Sequence, residues 1–229
     1  MYKRIILFVL ALSLVCAPAL AAGKLVVNQE RMLALDYYGS VDAEVYAEVE
    51  NTGDKPVEFS AGLVELFDAD GNTIDSTDYL YCYPSVLAPG EKGYVYVSMY
   101  PDNVTAAADI ADYTLTVTGK SSTGETNLMK TTGIYEPGVV DGYWTYNYLT
   151  AEITNESADT VYDPYCVYAL KDADGGLLYV YYTTAYSIGV PAGGTMYMRT
   201  SLPDSVLEYF DANGLTPVTV DAIAYENPY

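Results

Sequence analysis

Ala47-Glu48-Val49-Glu50-Asn51 alternates apolar and charged side chains and then runs into a turn; 104 positions later Ala151-Glu152-Ile153-Thr154-Asn155 does the same. Outward from this stretch, Leu66-Phe67-Asp68-Ala69-Asp70-Gly71 returns at the same spacing as Leu170-Lys171-Asp172-Ala173-Asp174-Gly175. Pro89, Pro101, Asp102 and Val104 then find counterparts at Pro191, Pro203, Asp204 and Val206, now 102 apart, which records a two-residue deletion. A period near a hundred residues is long enough for a core of its own, so it marks a duplicated domain rather than a short solenoid repeat.

Within each copy the hydrophobic period is two, as expected of half-buried strands. Val45, Ala47 and Val49 alternate with Tyr46, Glu48 and Glu50, while Leu149, Ala151 and Ile153 alternate with Tyr148, Thr150 and Glu152. The first set of each pair is expected to face a core and the second to face water. Asn51-Thr52-Gly53-Asp54, Asp68-Ala69-Asp70-Gly71 and Ala88-Pro89-Gly90 supply turn chemistry between the strands, Asp-Gly because tight hairpins need positive φ. Pro101-Asp102 and Pro203-Asp204 place an N-capping Asp ahead of Val104–Ala107 and Val206–Phe210, predicting one short helical turn before the last strand of each copy. The reading is all-β: two tandem immunoglobulin-like β-sandwiches, with domain 1 over 22–120, a polar linker at 121–127 and domain 2 over 128–229.

Lys3 and Arg4, the apolar run Ile5–Val15 and the small residues Ala19-Leu20-Ala21 read as a secretory signal peptide over 1–21. The run is shorter than the roughly 20 residues that span a bilayer. Cys16 follows Ser13-Leu14-Val15, which lacks the small residue a lipobox needs, so lipidation is disfavoured. A secreted or cell-surface location is expected, without a membrane span. The chain has 10 basic and 31 acidic residues and a formal net charge of −21. Lys3 and Arg4 fall in the leader, so the processed chain is more acidic still. With no cationic stripe, nucleic acid is excluded as a partner and anionic lipid is repelled; the acidity itself is read as solubility.

There is no histidine, which removes the usual general base of serine and cysteine hydrolases and the commonest zinc ligand. Cys82 and Cys166 fall at non-equivalent positions of the two copies; a bridge between domains would need alpha carbons within about 7 Å, and two buried thiols are the simpler expectation. The paired Asp-Ala-Asp-Gly turns invite a calcium reading, but counting back from Gly71 puts Leu66 at the first ligand position of a twelve-residue loop, so hairpin turns are preferred. Glu48 and Glu50 lie on one strand face with nothing to raise a carboxyl pKa, a poor glycosidase pair. No phosphate loop and no nucleophile elbow is present. The chain therefore reads as no enzyme, with no cofactor and no metal.

Tyrosine is the remaining signal: 26, against four Phe and one Trp. Tyr79, Tyr81 and Tyr83, Tyr94 and Tyr96, Tyr146 and Tyr148, and Tyr179 and Tyr181 recur at spacing two, which puts each set on one strand face. The alternation with Val95 and Val97, and with Leu149 and Ala151, turns those faces away from the core. Tyr81, Tyr83, Tyr94 and Tyr96 in domain 1, with Trp144, Tyr146 and Tyr148 in domain 2, are the candidate ligand-binding residues, since Tyr offers large area, few rotors and a hydroxyl. Two readings stand: recognition or adhesion toward a protein, peptide or glycan at the cell surface, or a structural spacer in which these faces are buried between domains or protomers.

Val64-Glu65-Leu66-Phe67-Asp68 resembles the signature of the FxLYD domain, with Val64 for Phe and Phe67 for Tyr; in the second copy Leu170 and Asp172 match, with Tyr168 for Phe and Lys171 for Tyr. Asn51-Thr52-Gly53 and Asn155-Glu156-Ser157 are similar to the family's Asn-x-(Gly/Ser), and Pro89-Gly90 to its later turn, degraded to Pro191-Ala192-Gly193. The resemblance covers most of both copies. It implies secreted or surface-displayed bacterial proteins with an immunoglobulin-like sandwich, and no catalytic residue to carry over.

Overall fold

The computed structural model describes residues 23–37, 39–102 and 104–226; the leader expected at 1–21, with Cys16, lies outside the described residues. The chain is all-β and sandwich-like. Its first half contributes β1 (Leu25–Tyr37), β2 (Ser40–Asn51), β3 (Val57–Phe67), β4 (Thr73–Thr77), β5 (Tyr81–Tyr83), β6 (Val86–Leu87), β7 (Lys92–Met99) and β8 (Asp112–Ser121). Its second half contributes β9 (Leu128–Asp141), β10 (Trp144–Thr154), β11 (Val161–Tyr162), β12 (Tyr165–Lys171), β13 (Leu177–Thr184), β14 (Gly189–Val190), β15 (Thr195–Ser201), helix α1 (Asp204–Ala212) and β16 (Thr219–Tyr225). Residues 122–127, between β8 and β9, form no strand. Among the described residues no helix is long and apolar enough to cross a membrane.

In the first half, a sheet in the order β1–β2–β7–β5 faces a second in the order β4–β3–β6, with β8 on β3. Val41, Ala43, Val45, Ala47 and Val49 of β2 meet Val57, Val64 and Leu66 of β3 in one buried cluster, so the period-two pattern sends these side chains where the sequence places them. In the second half β9 begins against β16 at Leu128 and Met129, then pairs with β10 from Lys130 onward. That switch joins six strands in the path β13–β12–β16–β9–β10–β15. It needs Gly133, because a Cβ there would lie 2.2 Å from the Val220 carbonyl oxygen of β16.

The repeat recurs in hydrogen bonds. The Asn51 amide donates to the Lys55 and Leu87 carbonyls at 2.8 and 2.9 Å, and its Oδ1 accepts from the Gly53 N–H. Asn155 donates to Asp159 and Val190 at 2.7 and 2.8 Å and accepts from the Ser157 N–H. Both asparagines are buried. Asn-x-(Gly/Ser) is thus an internal clamp that satisfies backbone groups where one strand ends and the next begins. The two Asp-rich turns are also alike. Asp68 Oδ1 accepts from the N–H groups of Asp70 and Asn72, and Asp172 Oδ1 from those of Asp174 and Gly176.

The helical turns differ from expectation. In the second half Asp204 opens a nine-residue helix as a helical residue rather than as its N-cap, which is Pro203. In the first half only a three-residue 3-10 turn forms, at Ala107–Asp109, later than expected. Val206 and Phe210, four apart, are both buried, whereas Ala106-Ala107-Ala108 has no large side chain to bury on a helical face.

The largest correction concerns the outer face of the β1–β2–β7–β5 sheet. Tyr46, Glu48, Tyr83 and Tyr94, read as facing water, are buried. Strand β13 lies against β1, β2 and β7, and α1 against β1. Leu33, Leu35, Tyr46, Tyr83 and Tyr94 consequently belong to the same buried cluster as Leu170, Tyr179, Val180 and Phe210 of the second half.

Candidate functional site

The candidate residues fall into two sets. Across the first-half sheet Tyr81 pairs with Tyr96, Tyr83 with Tyr94, and Tyr96 with Tyr46. Cross-strand register therefore gathers Tyr81, Tyr83, Tyr94 and Tyr96 on one face. They are not equally accessible: Tyr94 is 1% exposed, Tyr83 is buried, Tyr96 is half-buried and Tyr81 is 43% exposed. In the second half Tyr146 and Tyr148 stack at 5.3 Å, the Arg199 guanidinium lies 4.3 Å from the centre of the Tyr148 ring, and Trp144 is 70% exposed. Among the described residues no ring contact joins the two sets.

The seam between the halves holds an aromatic series that includes residues not singled out from sequence. Tyr182 stacks on Tyr83 at 4.6 Å, and Tyr83 on Tyr81 at 6.0 Å; Tyr79 then meets Tyr81 edge-on at 5.1 Å. Tyr165 lies against both Tyr83 and Tyr182, and Tyr179 meets Tyr46 edge-on at 5.4 Å. The series climbs from the buried seam to the surface, where Tyr79 is 71% exposed and Tyr181 remains partly open beside Tyr182. Spacing two does not mark Tyr165 or Tyr182, because neither has a tyrosine two positions away and Tyr182 directly follows Tyr181.

Three carboxylates of β2 flank this series. Glu48 is 1% exposed and accepts from the ammonium groups of Lys171 and Lys92, each at 2.6 Å; Lys171 also reaches Asp221 at 2.7 Å. Burial pushes the Glu48 carboxyl up, but the hydrogen bonds from Lys171 and Lys92 prevail and hold it below the ordinary value. Glu44 accepts from the hydroxyls of Tyr46 and Tyr96 without a cationic partner at that contact. Burial, helped by the charge of Asp42, lifts it to about 7. Asp42 is also raised by burial, and it accepts from Ser98 at 2.8 Å and Tyr100 at 3.1 Å. Glu48, expected on an exposed face, is thus buried and paired, while the carboxyls that burial raises are its neighbours Glu44 and Asp42. The reason is again the second half, which removes water from β2.

Beside the Glu48 network a groove of about 550 Å³ runs between Lys92 and Tyr94 on one side and Thr131–Gly133 and Val220–Ile223 on the other. Asp221 at its wall is held by Lys171. Among the described residues no group of His, Cys, Asp and Glu has the arrangement of a metal site. Cys82 and Cys166 are free and buried, and burial pushes each thiol up to about 12, far from the thiolate a nucleophile needs.

No family model matches the chain, and no curated protein matches it. Solved structures give remote neighbours. The secreted serine protease VesC from Vibrio cholerae aligns at 13% identity and a TM-score of 0.23, over 88% of this chain and 46% of the protease chain. The CBM22-1–CBM22-2 tandem domain of Paenibacillus barcinonensis Xyn10C aligns at 10% identity and a TM-score of 0.15, over 90% of this chain and 87% of its own. The chain thus spans about half the length of the protease chain it matches.

Proposed function

We propose that this is an exported, non-catalytic recognition or adhesion protein, built from two FxLYD-like immunoglobulin sandwiches, in which the tyrosines divide into two groups. Tyr46, Tyr83 and Tyr94 hold the two halves together, and Tyr79 and Tyr81 present the open end of the same stack to a glycan, peptide or partner protein. The observation that carries this reading is the ring series Tyr182–Tyr83–Tyr81–Tyr79, whose buried end orders the exposed one. Aromatic faces fixed in this way bind with little entropic cost. In a screen of glycans, peptidoglycan fragments and surface proteins, Tyr79→Ala with Tyr81→Ala should abolish binding while lowering stability by no more than about 1–2 kcal/mol, so that the variant stays folded. A ligand that binds this variant as well as wild type would refute the reading.

The spacer reading is favoured by a specific observation: Tyr83, Tyr94 and Glu48 are already covered by the second half of the same chain. On that reading the screen returns no ligand, and the rigid seam is itself the function.

A further inference from the structure

Among the described residues β15 is the one edge strand longer than three residues whose pairing runs in unbroken register. The edge strands β1, β4, β8 and β13 each show a register shift against their neighbour. Strands β5, β6, β11 and β14 have three residues or fewer. Bulges and shortness are how native sheets blunt an edge that would otherwise accept another strand. Strand β15 has neither, and no proline: its seven residues pair with β10 from Thr195 to Ser201, and its other side has no strand partner among the described residues.

The register identifies the open peptide groups. The Asn155 N–H bonds the Gly194 carbonyl, and the Leu202 N–H bonds that of Asn147. Alternation between these fixed ends puts Met196, Met198 and Thr200 in bonded pairs with β10. The N–H and C=O groups of Thr195, Tyr197, Arg199 and Ser201 are then directed away from β10.

The first half shows what fills such an edge. Glu48 pairs with Tyr94 and Tyr46 with Tyr96, as Glu152 pairs with Tyr197 and Thr150 with Arg199. Tyr94 and Tyr96 therefore correspond to Tyr197 and Arg199. Their free side is taken by antiparallel β5, with Tyr83 and Tyr81 opposite them and buried Cys82 between. In the second half β13 stays against β12 for eight residues, to Thr184, where β4 ends after five. The segment that would have returned to β15 is used up against β12, at the opposite edge of the six-stranded path.

We propose that the free edge of β15 accepts an extended segment of a partner protein as an added antiparallel strand. By the pattern of β5, that segment carries aromatic residues opposite Tyr197 and Arg199 and a small apolar residue between them. The Arg199 guanidinium already lies over one tyrosine ring, a preference for aromatic faces that a second ring satisfies. The partner is a foreign, cationic segment rather than a second copy, since two chains of formal charge −21 repel and a basic one is attracted. This surface is separate from Tyr79 and Tyr81 and does not depend on the function proposed for them.

The test uses the full chain and the peptide Lys-Thr-Tyr-Ala-Tyr-Thr-Lys. Amide-resolved NMR should show shifts and exchange protection at Thr195, Tyr197, Arg199 and Ser201. Tyr197→Pro removes an outward donor and no bond to β10, so it should fold yet weaken binding at least about tenfold, whereas Tyr197→Ala should retain main-chain pairing. N-methylation of the peptide at its strand-facing amides should cause the same loss with the protein unchanged, which covers the case in which the proline variant does not fold. The proposal is overturned by the absence of protection at millimolar peptide, by binding indifferent to peptide methylation, by shifts confined to Tyr79 and Tyr81, or by sedimentation showing that β15 pairs two copies instead.

Discussion

Glu48 and Lys171 stand 123 positions apart and meet at 2.6 Å in the seam. Lys171→Met leaves the buried Glu48 carboxylate with the half-exposed Lys92 as its one cation, so it should cost about 1–3 kcal/mol in denaturant unfolding, below the cost of a fully stranded charge, with part of the loss recovered by adding Glu48→Leu. Glu44 acts in the opposite sense. Its carboxyl is lifted from 4.5 to about 7, so the folded state takes up a proton that the unfolded chain releases. The stabilisation is full below about 4.5 and is lost as pH rises through about 7, on the order of 2–3 kcal/mol in all. Melting curves between pH 4 and 9 should show this slope, and Glu44→Gln should flatten it. The sequence exposes the alternation of Glu44, Tyr46 and Glu48 but not which neighbour covers them, because period two separates the faces of a strand without naming what packs on each. Lys171 was the available hint: a lone lysine closing the buried run Cys166–Leu170.

Elements that recur in sequence do not always recur in structure, and the differences follow from side-chain size. Phe210 anchors α1 in the second-half core, while the first half keeps only a 3-10 turn over its alanines. Phe210→Ala should therefore lower stability by about 3–5 kcal/mol and reduce helical circular dichroism, whereas Ala107→Gly should change little. The alternating strands and the turns between them were legible, since turn chemistry and alternation are local; the two asparagine clamps were not, because their amides reach carbonyls 35 and 36 positions away. The division of labour between β5 and its lost counterpart was not, because Tyr81-Cys82-Tyr83 and Thr184-Ala185-Tyr186 differ chiefly in where the preceding strand ends. Aromatic pairing in the seam is open to a direct measurement. A double-mutant cycle on Tyr83 and Tyr182 should return about 0.5–1.5 kcal/mol of coupling.

At the scale of the molecule, one buried cluster runs from the second-half core onto the outer face of the first-half sheet. The halves should then melt together: calorimetry should give one transition with equal calorimetric and van't Hoff enthalpies, and two resolved peaks would separate them. The repeat in the sequence is readable at a glance, but the packing of the two halves is not, because a face paved with tyrosine suits water and a neighbouring sheet equally well. The two thiols offer a chemical clock for this behaviour. Cys82 belongs to the first-half cluster and Cys166 to the second, and both are shut away from reagent. An alkylating probe, followed by mass spectrometry of each cysteine peptide, therefore times the opening of either half on its own. Matched rates would mean that neither end of the protein breathes without the other.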